Sequence, residues 1–360
     1  MTFSIPTTGT AAIKAVCACV FCLFSFTYLY VYQADILSYV VYSLTGSFYN
    51  DLLEATALTA LLLLLQRWIQ RKFPFGIRTY ALTWLPSMLV LFLLTEVSLW
   101  GGWIYPVAIT LFFVTLWLMV FSIQRKVIPY REKPAFFLFS RPMWINLLQL
   151  SLMMILVASS GTDNAVFHYR MKAETALLNG DTKAALLAGK RSLECDESLT
   201  MLRAYALAKE GGMGDALFTY AIKGKGDDLM PSDHAKMLIC SPKDVFRFAR
   251  THKRAAADYE LCGYLVDGRL DAFVQKLPRY YEINDSLPLH YREALTLYTH
   301  LRSHPHTVYH HAVMDEDYQN MKQMESLCKS ASERHLKALE LYGNTYWYYY
   351  NYVCRSRKSE

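Results

Sequence analysis

The residues best suited to chemistry lie together late in the chain: His300, His304, His306, His310 and His311, followed by Asp315 and Asp317. Imidazole and carboxylate are ligands for Zn²⁺ and other divalent cations. His300 and His304 are four residues apart, so on one helix they share a face. Pro305 interrupts that helix before the next histidines. His300, His304, Asp315 and Asp317 are therefore the candidate ligands of a divalent metal, the only cofactor this sequence suggests. With such a metal, the region would suit an envelope enzyme acting on lipid-linked or surface glycans. No His-Glu-x-x-His and no cysteine pair accompanies them, and a polar surface turn accounts for the same residues. The Asp315-x-Asp317 spacing also occurs in metal–nucleotide sites of sugar transferases, but acids at a helix start are equally explained by the helix dipole. No catalytic residue is assigned.

Other motifs are weaker. Gly211-Gly212-Met213-Gly214 and Gly224-Lys225-Gly226 follow no expected strand, so neither fits a phosphate loop or a dinucleotide fingerprint. There is no Gly-x-Ser-x-Gly. The aromatic run Tyr346-Trp347-Tyr348-Tyr349-Tyr350-Asn351-Tyr352 could stack on sugars or peptides, lie at a membrane interface, or pack against other helices. Cys195, Cys240, Cys262, Cys328 and Cys354 are odd in number and scattered, which favours buried thiols over a disulfide framework. Cys17, Cys19 and Cys22 sit in an apolar stretch and read as small hydrophobes. Asp285-Ser286-Leu287 resembles the short acceptor sequence for protein O-glycosylation in Bacteroides-type bacteria.

The elements that must position these residues fall into two unlike halves. Residues 1–160 hold ten Lys/Arg and five Asp/Glu, whereas residues 161–360 hold 27 and 26. The net charge of +6 therefore belongs mostly to the first half. The second half is nearly neutral, which argues against a nucleic-acid partner. A bilayer core of about 30 Å needs about 20 apolar residues in helical form. Five stretches fit within a transmembrane domain at 1–162: about 13–34, 52–69, 79–97, 103–123 and 142–161. The second carries Glu54 and Arg67 near its ends, where both can reach an interface. Pro86 should kink the third. No midplane polar residue beyond Ser and Thr is expected, which disfavours a transporter. The first stretch is longer than a signal peptide's apolar core and reads as an uncleaved anchor.

All ten Lys/Arg of this half lie before the first span, around loop 67–78, or in loop 125–141. The opposite side shows Asp35, Asp51, Glu54 and Glu96. Positive-inside placement puts the N-terminus in the cytoplasm and the domain 163–360 outside, in the periplasm of a Gram-negative cell.

That second domain shows no strand alternation. Helical stretches are separated by Gly and Pro. Three places share an apolar stretch, a glycine, then an alanine four residues on: Gly180 with Ala184, Gly212 with Ala216, and Gly268 with Ala272. The alanine should let the second helix of each pair pack closely. The pattern resembles tetratricopeptide repeats, without their Trp and Pro positions. The expected fold is all-α: a transmembrane helix bundle of about five spans, then a tetratricopeptide-like solenoid domain. Ser241-Pro242-Lys243-Asp244 and Leu287-Pro288 read as helix starts, and Asp315-Glu316-Asp317 as another.

Tyr28-Leu29-Tyr30-Val31-Tyr32-Gln33 resembles an uncharacterised family of Bacteroides-type polytopic membrane proteins. The stronger words of that resemblance are Leu287-Pro288-Leu289-His290-Tyr291-Arg292-Glu293-Ala294-Leu295, Tyr298-Thr299-His300-Leu301-Arg302 and Val313-Met314-Asp315-Glu316-Asp317-Tyr318-Gln319. The family has no assigned activity, so the resemblance implies a setting, the bacterial inner membrane, and no catalytic residue. The expected function is a membrane-anchored scaffold whose helical repeats bind a protein or peptide at the periplasmic side. Its expected partners are the lipid bilayer and that polypeptide.

Overall fold

A computed structural model describes residues 8–47, 50–96, 104–126, 140–161 and 164–359. Trp103, Thr162 and the loop cations Arg131 and Lys133 lie outside them. Every regular element among the described residues is helical. The chain divides into two compact units, Met1–Asn164 and Ala165–Glu360.

In the first unit, five helical stretches are long and apolar enough to cross a bilayer, as in a membrane protein: Ala11–Tyr32, Asp51–Lys72, Ile77–Thr95, Ile104–Gln124 and Arg141–Ser160. Helix α1 (Thr8–Thr27) ends in a π-helical turn at Tyr28–Tyr32. An unanticipated helix, α2 (Ala34–Thr45), follows and is too short to span. It packs against α3 (Asp51–Lys72) and buries Glu54. Ser38 on α2 donates to Asp51 at 3.1 Å and to Glu54 at 3.2 Å. Glu54 is thus covered by protein, where the sequence suggested that it reaches toward water.

The third span begins as a 3₁₀ segment, Ile77–Trp84, and becomes α4 (Leu85–Thr95). Pro86 sits at that junction. Its missing N–H would have bonded the Leu82 carbonyl in a regular helix. Trp117 of α5 (Ile104–Lys126) donates its indole N–H to that carbonyl at 2.8 Å. One turn earlier, Asn146 of α6 (Arg141–Ser160) is fully buried. Its Oδ1 accepts from the Ala81 N–H at 2.6 Å and its Nδ2 donates to the Ile77 carbonyl at 2.7 Å. An α-helix would pair those two backbone groups with each other. The amide is inserted between them, so the bend keeps its hydrogen bonds inside the bundle.

These bonds also show how the spans alternate. At one end, Lys14 lies 5.8 Å from the Tyr80 ring, Gln66 donates to Tyr80 and Thr83, and Thr79 donates to Gln124. At the other end, the Tyr28 hydroxyl reaches Thr95 and the Val157 carbonyl. The beginnings of spans one, three and five therefore meet the ends of two and four. Buried Gln66 and Asn146 are the polar groups of this network, and both lie toward one end of their spans.

The second unit is built on helical pairs. The first members α7 (Ala165–Leu178), α9 (Glu197–Glu210) and α12 (Lys253–Val266) each have 14 residues. Their partners α8 (Thr182–Leu187), α10 (Met213–Ala216) and α13 (Leu270–Lys276) have only six, four and seven. Helix α11 (Pro242–Thr251) lies between the second and third pairs in the chain. Helices α14 (Leu289–Leu301), α15 (Ala312–Leu327) and α16 (Ala331–Tyr342) follow. The chain closes with a helical run from Tyr346 to Ser359, with a π-helical turn at Tyr349–Cys354.

Two details of the repeat pattern change. The left-handed glycine in the second pair is Gly211, at φ 70°, and not Gly212. The packed position is one residue later than expected: Ala185, Leu217 and Phe273 are buried, whereas Ala184 is exposed and Ala216 and Ala272 are half-buried. The glycine runs serve close packing. A Cβ on Gly226 would stand 2.5 Å from the Gly263 carbonyl oxygen, and one on Gly214 would stand 2.8 Å from Tyr291.

Replacing Asn146 by Leu removes both backbone partners at the third-span bend. The variant should lose about 1–2 kcal/mol in detergent, read as a lower thermal midpoint of the full chain.

Candidate binding groove

An open cleft of about 430 Å³ in the second unit lies between α7, α9 and α11. Its construction starts from Glu174 on α7, whose side chain is wholly buried. The carboxylate accepts the backbone N–H groups of Leu238, Ile239 and Cys240, at 2.7 Å from Ile239 and 3.0 Å from Cys240. Burial pushes its carboxyl above the usual range, while the three N–H groups pull the other way. Arg170, one turn earlier, donates to the Lys236 carbonyl at 2.9 Å and pairs with Asp196 at 3.1 Å. Together they pin an irregular segment against α7 and deliver Cys240 and Ser241 to the cleft.

From that segment the chain enters α11 with Ser241 as N-cap and Pro242 at its first position. The Ser241 side chain makes no capping bond. Val245 and Ala249 face the core, and Lys243, Phe246, Arg247 and Arg250 face out. The cleft's apolar walls are Leu177, Leu178, Tyr205 and Phe248. Tyr205 meets Phe248 edge-on at 5.9 Å, and Phe248 stacks on His252 at 4.1 Å. Lys209 stands over the Tyr205 ring at 4.9 Å. Burial pushes the Cys240 thiol up to about 12, helped by the neighbouring Glu174, so this lining thiol stays protonated near neutrality. The arrangement has apolar walls, cations at the mouth and one acid, Asp244. Thr251 Oγ1 and His252 Nδ1, both in its lining, lie 2.9 Å apart.

The histidine-rich turn is elsewhere, between α14 and α15. His300 and Asp315 come together at 3.0 Å, and His310 approaches the other Asp315 oxygen at 3.4 Å. His304 and Asp317 are exposed and stand outside that cluster. Among the described residues no three His, Cys, Asp or Glu side chains are placed to hold a metal ion. The hydrogen bonds tie the end of α14 to the first turn of α15. That helix starts at Ala312, earlier than the acidic run suggested, with His311 as its cap.

The other sequence candidates are placed as follows. Tyr346, Trp347, Tyr348 and Tyr349 are buried, so the first four residues of the aromatic run pack inward. Tyr346 and Tyr349 donate to the Leu265 and Val266 carbonyls. Glu293, paired with His290 at 2.9 Å, accepts the Tyr346 N–H at 2.7 Å and so caps the final helix. Ser286 is exposed beside buried Leu287, hydrogen-bonded to Asn284. All eight cysteines are free thiols. Asp258 is buried and accepts from Tyr281 at 2.6 Å and Tyr291 at 2.9 Å. Burial raises its carboxyl, with the two phenols and Arg254 opposing the shift.

Tyr205, Lys209, Arg247 and Phe248 were not singled out from sequence. The available signal was the cationic i, i+4, i+7 spacing of Lys243, Arg247 and Arg250 on a helix whose opposite face is apolar.

Fold and cleft together describe a helical membrane protein with a helical-pair domain that presents an open cleft. Residues 227–353 match a family described as a family of unknown function (DUF6057). That stretch contains α11 but not α7 or α9. No curated protein and no solved structure matches the chain.

Glu174→Ala would leave three part-buried N–H groups without their acceptor. It should cost about 3 kcal/mol in denaturant unfolding of the full chain.

Proposed function

We propose that this chain is a membrane-anchored scaffold whose helical-pair domain, tetratricopeptide-like in its Gly180, Gly211 and Gly268 turns, binds a protein or peptide. The observation that carries this reading is the cleft between α7, α9 and α11, open to solvent and walled by aromatic and aliphatic side chains. Such stacked pairs characteristically offer concave surfaces for polypeptides. The reading places the domain at the periplasmic side of the inner membrane of a Bacteroides-type bacterium. Two things support that location. One is the one-sided distribution of Lys and Arg among the loops of residues 1–160. The other is the resemblance of residues 287–319 to envelope proteins of that kind.

A photo-crosslinking amino acid at Leu178, which lines the cleft and is 37% exposed, should yield a discrete adduct in cells. The same probe at Leu336, exposed on α16, should not. Identical adducts at both positions, or none at Leu178, would sink the scaffold reading. Protease added to spheroplasts should digest residues 165–360. Protection of that unit would overturn the periplasmic location.

A further inference from the structure

The surface around the cleft is more selective in charge than its walls suggest. From Lys243 to Arg254 the sequence carries five basic residues and one acid, Asp244, within a domain that is otherwise nearly balanced. Asp244 is engaged with Arg247 at 2.6 Å. Lys243, Arg250 and Lys253 are exposed and have no ion-pair partner among the described residues, and Lys209 adds a cation from α9 at the cleft itself.

A second hollow, about 450 Å³, is lined by Lys243, Phe246, Arg247, Arg250 and Thr251. It shares Arg247 and Thr251 with the first. The two hollows adjoin on α11 at these shared residues, with the apolar Leu177, Leu178, Tyr205 and Phe248 and the cation Lys209 in the first and Lys243 and Arg250 in the second. Phe246, 38% exposed, stands in the second as an apolar contact.

We infer that these adjoining hollows take an acidic polypeptide segment carrying an apolar side chain, its carboxylates on Lys209, Arg247, Lys243 and Arg250. The apolar side chain lies against Leu178, Tyr205 and Phe248. This deepens the scaffold reading and rests on it. Shape favours a polypeptide over a bilayer. An extended segment can follow two joined hollows, whereas a planar lipid surface would touch only the rim at Phe246 and the outer cations. Cations on both sides of an aromatic wall also select against basic segments through repulsion, which gives specificity as well as attraction.

The test uses the full chain in nanodiscs of neutral lipid. The probe is a short labelled peptide of Glu residues flanking a Phe and a Leu, compared with the same peptide carrying Lys at every Glu. The acidic peptide should bind, and its affinity should fall as salt is raised. Lys209→Glu with Arg247→Glu should weaken it by about tenfold or more. Lys322→Glu with Lys337→Glu, the same charge change on α15 and α16, should leave it unchanged. Lys209→Gln with Arg247→Gln should give a smaller loss in the same direction, and serves if the reversed pair melts early by circular dichroism.

Equal binding of the two peptides, or equal losses in the groove and control variants, would overturn the proposal. No acidic-peptide binding while Leu178 still crosslinks a partner would sink the acidic specificity and leave the scaffold reading standing. If the peptide fails to bind and phosphatidylglycerol vesicles bind in a way that depends on Lys209 and Arg247, the surface is a lipid surface and the proposal is wrong.

Discussion

The cleft depends on one carboxylate. Glu174 is buried with three backbone N–H groups converging on it, and the segment they belong to has no helix or sheet of its own to satisfy them. A buried N–H without an acceptor is costly, and a buried carboxylate without donors costs more. Each is tolerable because the other is there. The mutual dependence fixes where residues 238–240 run, and therefore where α11 begins and which way its cationic face is turned.

The same physical device recurs where the chain departs from regular helix. In the first unit Asn146 stands between an N–H and a carbonyl that a straight helix would have paired, and Trp117 serves the carbonyl that Pro86 cannot. In the second, Glu293 caps the last helical run, and Arg203, 1% exposed, gathers the carbonyls of Ala188, Gly189 and Ala221. These polar side chains sit in otherwise apolar surroundings, and each holds backbone groups of an irregular segment. The histidines that look most like ligands in the sequence belong to the same class, since His300 and His310 meet Asp315 at the junction of two helices.

The helical pairs show why degenerate repeats differ from regular ones. Each first helix is 14 residues long, yet the second helices are too short to bury a full face. Other elements supply what they lack. The 3₁₀ turn at Gly226–Leu229 crosses α12 at Gly263, α14 lies on Gly214, and the aromatic run from Tyr346 fills the space beside Phe218. The aromatic residues are therefore part of the core, and the open cleft is left to α7, α9 and α11.

Some of this was legible in residue order alone. Apolar stretches of membrane length, the one-sided distribution of Lys and Arg in the first half, and the glycines that end α7 and α12 are local or compositional properties. They were read without coordinates, and the five spans lie within a few residues of where charge gaps put them. The short helix α2 escaped because twelve moderately apolar residues resemble a loop until a neighbour covers them. The groove escaped for a different reason. Leu178, Lys209 and Arg247 come from three helices, and none is unusual for its own helix. Only the tertiary structure brings them to one cleft, through a buried Glu174 whose partners lie more than sixty residues away. Sequence spacing carries information about a helix face; it carries none about which faces meet, because that is decided by which buried groups can satisfy one another.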